Sequence, residues 1–528
     1  MLIIFLIVTA VTAVVLYMQH AYSKLSKLGV HHLPVVPVFG NIMWGILKKE
    51  HMLEPLLRTI KAFPDDRIVG QYELTTPIFI IKDPELLKNV SVKDFDHFTD
   101  RRPFTDESDP LFGRNLLALK GENWKAMRTN LSPMFTSSKI RLMVPFMVEV
   151  CERMIQALRT KIQQSQNGFI DVEGKDIASR YGNDVLASCA FGLHVESHTE
   201  DNEFYSHARA ITNFNFTRLL KASAFRCFPK FAKLLCISVS PSASAKFFGD
   251  VVLSEIKHRE EKNIIRNDMI HLLMQARKGQ LSHDNKDTAG DAGFASVEES
   301  AIGKKKYEIQ WSDHDLILQA VMLLFAGFDT LSSSVGFMMH QLAINPEVQE
   351  RLLEEILESE KRCGGKFEFA NIHNLPYLDM VVSESLRCWP PAAFVDRTCV
   401  KDYNAGKPYQ GANNDCIIRK GDYIGLPIWA FHYNPEYFPN PEKFDPERFT
   451  EENKQNIRPY TYIPFGLGPK NCLGSRFVLY EIKIFIYQMI LNFKFGTSEK
   501  TAPKATFSKQ GYDMKIVGGW ERLTLRSQ

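Results

Sequence analysis

The stretch Pro464-Phe465-Gly466-Leu467-Gly468-Pro469-Lys470-Asn471-Cys472-Leu473-Gly474 sets three glycines and two prolines around one cysteine. Glycine permits tight turns and close backbone approach, so this sequence predicts a compact loop holding a sulfur against something flat. An apolar segment with helical character, Phe477 to Phe495, follows directly. The start of that helix would favour the thiolate through its positive dipole end and free N–H groups. A thiolate held this way is a nucleophile or a metal ligand. A lone buried cysteine is more often a small hydrophobe, but the glycines around Cys472 favour the functional reading.

With 528 residues, 45% hydrophobic and 24% charged, the chain is globular and long enough to bury a large core. A net charge of +3, with no basic run interleaved with aromatics, argues against a nucleic-acid partner. The nine cysteines show no C-x-x-C and no pairing with histidines, which suits reduced cytosolic thiols. His31 and His32 lack a spaced partner and read as linker residues rather than zinc ligands. There is no GxGxxG and no P-loop lysine motif, so the chain brings no nucleotide cradle of its own.

Leu2 to Met18 is an uninterrupted run of apolar residues and threonines without a preceding Lys or Arg, while Lys24 and Lys27 follow it. That asymmetry predicts a retained N-terminal anchor with the body of the protein in the cytosol. Seventeen helical residues reach about 25 Å, enough for the thinner endoplasmic reticulum bilayer. The expected organisation is an anchor over 1–22, an extended proline-containing linker over 23–40, and one domain over 41–528. Strands are expected at Ile68–Leu74 and Ile78–Lys82, joined by Thr75-Thr76-Pro77. The three sequons at Asn89, Asn130 and Asn215 would go unused on a cytosolic domain. From Pro84 to about His340 the pattern is helical. Trp124 and Arg128, four apart, share one helical face. Residues 281–306 are polar and predict a mobile surface loop.

Ser312 and Asp315 form a capping box ahead of a helix that is apolar on nearly every face, and therefore central and buried. At its midpoint stands Ala326-Gly327-Phe328-Asp329-Thr330. Gly327 costs about 1 kcal/mol in a helix interior, Thr330 can bond back to the Ala326 carbonyl, and a buried Asp329 needs a partner or solvent. Three penalties in five residues predict a kinked groove where a small ligand sits. Asn345-Pro346-Glu347 starts another helix. A later helix, Tyr377 to Arg387, carries Glu384 and Arg387, and Pro390-Pro391 ends it. Phe394–Val400 and Ile417–Ile424 read as strands. The proline-rich meander through Pro446-Glu447-Arg448-Phe449 carries Tyr437, Phe438, Phe444 and Phe449, which argue for packed order.

Taken in order, Trp124-x-x-x-Arg128, the Ala326–Thr330 stretch, Glu384-x-x-Arg387, Pro446–Phe449 and the Phe465–Gly474 loop resemble those of cytochromes P450. The likeness is greatest to the microsomal, xenobiotic-metabolising branch with its insect members, on Arg101-Arg102-Pro103-Phe104 and Leu131-Ser132-Pro133-Met134-Phe135. The resemblance implies a mainly α fold with small β-sheets, a triangular helical prism with a long central helix over the haem, and an N-terminal transmembrane helix. It implies haem b, with Cys472 as axial thiolate. Arg101, Trp124, Arg128, Arg397 and Lys470 would meet the haem propionates, and Ala326, Phe465 and Gly474 would shape its site. Glu384, Arg387 and Arg448 would form a buried structural network, while Asp329 and Thr330 would deliver protons to dioxygen. Phe104, Phe214, Phe325 and Phe394 would line a pocket for a lipophilic substrate, drawn from 102–116, 213–216, 325–330, 391–395 and 508–514.

One position departs from the family pattern. Lys470 stands where Arg or His is common, keeping the charge but losing the planar fork. Electrons would come from NADPH through the flavins of NADPH–cytochrome P450 reductase, and the resemblance allows cytochrome b5 as a second donor. Lys125, Lys470, Arg476 and Lys483 are expected to dock the acidic face of the reductase. The implied activity is a monooxygenase that hydroxylates, epoxidises or dealkylates foreign compounds, or an endogenous hormone, sterol or fatty acid. A peroxide isomerase or dehydratase and a haem carrier or gas sensor are the rival readings.

Overall fold

Residues that are apolar on every face must be covered on every face, and the stretch after Ser312 sets the architecture accordingly. In the computed structural model the described residues are all but 282–291, 301, 304–308, 365–371, 373–374, 510–513 and 527–528, together with the side chains of Ile7, Ala10, Val11 and Phe216. The helices that position the site are α1 (Leu2–Lys27), α2 (Gly121–Leu131), α3 (Ser137–Gln164), α4 (Gly174–Phe191), α5 (Phe216–Cys227), α6 (Met269–Arg277), α7 (Asp313–Ile344), α8 (Pro376–Cys388) and α9 (Ser475–Asn492). The capping box at the start of α7 is present: the Ser312 hydroxyl accepts from the Asp315 N–H at 3.1 Å, and the Asp315 carboxylate accepts from the Ser312 N–H at 3.0 Å. Helix α7 is long and apolar enough to cross a membrane, yet Leu316, Val321, Leu331 and Val335 are wholly enclosed by protein. It runs through the core against α4, with α8 and α9 beside it.

The strands stay at the periphery. β1 (Ile68–Glu73), β2 (Thr76–Ile81), β4 (Val395–Thr398) and β7 (Tyr423–Leu426) form one sheet in the order β1-β2-β7-β4. β3 (Phe169–Glu173), β8 (Phe493–Thr497) and β9 (Trp520–Leu525) form a second, and β5 (Tyr403–Asn404) and β6 (Ile417–Ile418) a third. The β1–β2 turn is tighter than expected: Glu73 pairs with Thr76, so only Leu74 and Thr75 turn, and Leu74 adopts φ 54°. The single strand expected over Ile417–Ile424 is two strands in different sheets. Gly421, at φ 94°, turns the chain between them.

The N-terminal segment also departs from expectation. Helix α1 continues past the anchor stretch to Lys27, and residues 23–40 lie on the first sheet instead of spanning open space. Leu25 is fully buried against Gly70, where an added Cβ would sit 2.4 Å from it. The Tyr72 hydroxyl donates to the Tyr22 carbonyl at 2.9 Å, and Lys24 pairs with Asp422. Gly40 bridges to Glu73. His31 stacks between Phe63 and Tyr409, and among the described residues no cluster of His, Cys, Asp and Glu could hold a metal ion. Nearer the N-terminus, the apolar residues Leu2 to Leu6 and Val14 to Tyr17 are exposed.

Truncating Leu25→Ala should lower stability by about 2–5 kcal/mol, the usual cost of emptying a buried leucine site. A urea unfolding midpoint unchanged from wild type would show that the segment is a free linker after all.

Candidate active site

The cysteine loop is built from backbone geometry that only glycine supplies at two points. Gly466 and Gly468 have φ 78° and 70°, in the left-handed region. A Cβ on Gly468 would lie 1.9 Å from the Ser91 carbonyl oxygen. The Cys472 N–H donates to the Phe465 carbonyl at 2.8 Å, closing the loop. Cys472 has accessible surface that opens onto an interior cavity. Burial pushes its thiol up, outweighing the Gly474 N–H and the Arg128 and Arg101 charges that pull it down. The loop alone therefore does not favour the thiolate expected from the helix start.

That cavity has a volume of about 980 Å³. Its wall brings together all the expected cofactor-facing residues, Arg101, Trp124, Arg128, Ala326, Arg397, Phe465, Lys470 and Gly474, with Cys472 among them. Phe104, Phe214, Phe325 and Phe394 line it as well, and Phe325 meets Phe214 and Phe112 edge-on. Of the expected 508–514 wall, 510–513 lie outside the described residues and the remaining three do not line the cavity.

Among the described residues, Arg101, Arg397 and Lys470 along one edge form no ion pair. Burial, then the nearby Arg101, push Arg397 down to about 9. Burial also lowers Arg101, and burial followed by Arg101 and Arg397 holds Lys470 well below the usual lysine range. The Lys470 ammonium sits 3.8 Å from the Trp124 ring centroid with no hydrogen-bond partner in the structure. Asp396, the carboxylate that acts on Arg101 and Arg397, already pairs with Arg226 at 3.0 Å and with the Arg102 N–H at 3.2 Å. Buried cations gathered this closely favour a ligand that carries negative charge. Gly474, beside the sulfur, has neither a positive φ nor a close neighbour that would demand glycine, since a Cβ there meets only Phe135 at 3.5 Å. A flat apolar group with two carboxylates and an atom for sulfur to ligate fits this wall, and haem has that chemistry.

Arg128 behaves differently from the other three. Four of its five N–H groups are engaged: two on Glu299 at 2.6 and 3.2 Å, and two on Asn471 at 2.7 and 2.9 Å. Little of it remains for a further anion.

Across the cavity, α7 is continuous α-helix through Ala326–Thr330, and small side chains line the groove there. Ala326 is exposed to the cavity, and Gly327 packs on α4, where a Cβ would crowd Leu186 at 3.2 Å. The Thr330 hydroxyl donates to the Ala326 carbonyl at 2.6 Å. Asp329 pairs with Lys175 of α4 at 2.8 Å and keeps 37% of its side chain exposed, so its charge is both partnered and wetted.

Beneath the loop, Glu384 and Arg387 are fully enclosed and joined twice, at 2.7 and 2.9 Å. Arg387 also donates to the His432 and Pro441 carbonyls, each at 2.9 Å, and the Asp445 N–H donates to Glu384 at 2.8 Å. Arg448 contributes a looser ion pair to Glu384 at 3.4 Å and donates to the Asn440 carbonyl at 2.9 Å.

The sequence reading missed His432. Its Nε2 accepts from the Ile463 N–H at 3.0 Å, so Nδ1 carries the proton and donates to the Arg387 carbonyl at 3.1 Å. Burial pushes it down to about 3, fixing it neutral. No spacing signal distinguishes it in Phe431-His432-Tyr433. The expected docking cations are also misplaced. Lys470 is inside the cavity wall, Lys483 and Arg476 are buried, and Lys125 is tied to Glu122 at 2.9 Å and Asp96 at 3.4 Å.

The family model described as Cytochrome P450 matches residues 31–517. "Cytochrome P450 9e2" of Blattella germanica is 40% identical over 509 residues, 94% of this chain and 92% of that one. "Cytochrome P450 9c1" of Drosophila melanogaster is 36% identical over 93% and 92%, and "Cytochrome P450 6k1" of Blattella germanica 34% over 93% and 90%. The chain belongs to the cytochrome P450 family and is a monooxygenase of that family, which implies haem.

If Lys470 holds a propionate, Lys470→Met should hasten haem transfer to apomyoglobin by about tenfold, the value of one charge-assisted hydrogen bond. Lys470→Arg should restore most of the retention. Equal transfer rates in all three proteins would contradict that contact.

Proposed function

We propose that this cytochrome P450 inserts one atom of O2 into a lipophilic organic molecule, by hydroxylation, epoxidation or dealkylation, in the clearance of foreign compounds. The observation that carries this reading is one cavity holding a cysteine and unpaired cations on one wall and Phe104, Phe214, Phe325, Phe394 and Thr330 on the other. Haem, when bound, supplies the redox chemistry that activates dioxygen, with the thiolate donating electron density that favours O–O cleavage.

In this reading the chain supplies position, charge and protons. Cys472 would ligate iron from a loop closed by its own N–H on Phe465, while Lys470, Arg101 and Arg397 would take the two propionates. The Glu384–Arg387 pair fixes the meander beneath, so its loss should cost haem incorporation before it alters the chemistry. The four phenylalanines exclude water and hold an apolar substrate by contact area. Thr330 gives its proton to the Ala326 carbonyl, which leaves the lone pairs of its oxygen to hold a cavity water. Asp329, half-exposed and paired with Lys175, would relay protons from solvent toward that water.

Electrons would arrive from NADPH through NADPH–cytochrome P450 reductase. The exposed apolar start of α1, followed by Lys24 and Lys27, supports anchoring in the endoplasmic reticulum membrane with the domain in the cytosol.

Replacing Thr330→Ala should leave NADPH consumption near the wild-type rate while product falls about tenfold or more and hydrogen peroxide accumulates. Unchanged coupling of NADPH to product would sink the assigned role of Thr330; no NADPH-dependent product from wild type would sink the monooxygenase reading.

A further inference from the structure

Of the surface loop expected over 281–306, residues 282–291, 301 and 304–306 lie outside the described residues, and residues 292–300 lie on the sulfur side of the molecule. Ala292 and Ala295 are buried. Phe294 stacks on Tyr462 with ring centroids 5.4 Å apart, and its N–H donates to Asp379 at 2.9 Å. Gly293 adopts φ 112° and passes so close to Asp379 that a Cβ would lie 1.8 Å from its oxygen. Farther along, the Glu298 carbonyl accepts from Asn471 at 2.9 Å and the Glu299 carboxylate grips Arg128. Val297 and Glu299 share with Cys472 and Arg476 a space of only about 20 Å³.

This strap changes the charge that the sulfur side presents. Arg128, Arg476 and Lys483 are buried beneath or beside it, and Lys483 spends its ammonium on Asp379 at 2.8 Å and the Ala292 carbonyl at 3.0 Å. Exposed in their place is Glu298. An acidic protein surface approaching here meets a carboxylate first. Once the strap moves, the same surface meets Arg128, while Lys483 keeps its pairing with Asp379 of α8.

We propose that residues 292–300 are a displaceable cover over the electron-entry face, in which Glu299 stands in for a carboxylate of an acidic electron-donor protein. The inference rests on the monooxygenase reading above, because only a chain that takes electrons from a partner has such a face. Exchange is physically cheap: an incoming carboxylate replaces Glu299 on Arg128 with the same bidentate chemistry. The cover itself has no regular secondary structure over 293–300. Its apolar hold is one phenylalanine, itself 36% exposed, two alanines and the partly buried Val297. Segments held by few apolar contacts open at low free-energy cost.

Two measurements on the haem-loaded full chain test this. Hydrogen–deuterium exchange of the Phe294 and Ser296 amides should speed by about fivefold or more when saturating NADPH–cytochrome P450 reductase is added. The double variant Glu299→Gln, Phe294→Ala should need about tenfold less reductase for half-maximal turnover, with peroxide-driven turnover, which needs no donor, unchanged. Exchange that slows or stays constant on adding reductase would overturn the proposal, as would an unchanged or raised half-saturating concentration. Should the variant lose haem, the wild-type exchange result decides alone. A wild type that turns over with peroxide but never with reductase would overturn the donor named above. A reductase-supported wild type whose strap stays protected would overturn the cover alone.

Discussion

A sulfur that is to hold a metal would need a loop with nowhere to relax, and the Glu384–Arg387 pair anchors the chain beneath that loop. Both side chains are fully enclosed. Two buried charges survive only when geometry and hydrogen bonds are complete, and here the pair is completed by the His432 and Pro441 carbonyls and the Asp445 N–H. His432 carries the restraint onward, tying the end of α8 to Ile463, one residue before the cysteine loop begins. Breaking the pair would leave an uncompensated buried charge, a cost of about 3–5 kcal/mol.

The second constraint is electrostatic. Burial lowers Arg101, Arg397 and Lys470 most; Arg101 then lowers Arg397, and both arginines lower Lys470, with Asp396 and Asp100 offsetting only part of this. The folded chain thus stores an unfavourable cluster that a dianionic ligand relieves, and ligand binding of this kind adds directly to stability. The sulfur follows the same logic. Burial raises the Cys472 thiol, and a metal cation beside it would favour the thiolate. Cofactor and fold depend on each other through charge.

Much of this was legible because it is local in sequence. Ser312 and Asp315 are three apart, as are Glu384 and Arg387, and Gly466 and Gly468 announce a left-handed loop by composition. What stayed hidden depends on pairings across long stretches of chain. Glu299 and Arg128 are 171 positions apart, and a polar, glycine-containing segment reads as solvent-exposed until Tyr462 and Asp379 are seen to receive it. Leu25 seals against Gly70 only after β1 has formed, so a proline-containing segment read as a linker is instead docked. Lys483 and Arg476 look like surface cations on a helix, but α9 is buried nearly all round. Asp329 was expected to need a partner or solvent, and the partner, Lys175, comes from a distant stretch of chain on α4.

Thiolate ligation by Cys472 is the claim on which the rest turns, and the absorption spectrum of the reduced, CO-bound protein reports it directly. The account predicts a Soret band markedly red-shifted from that of a histidine-ligated haem protein, lost on Cys472→His replacement while haem remains bound. An unshifted Soret band in folded, haem-loaded wild type would contradict it.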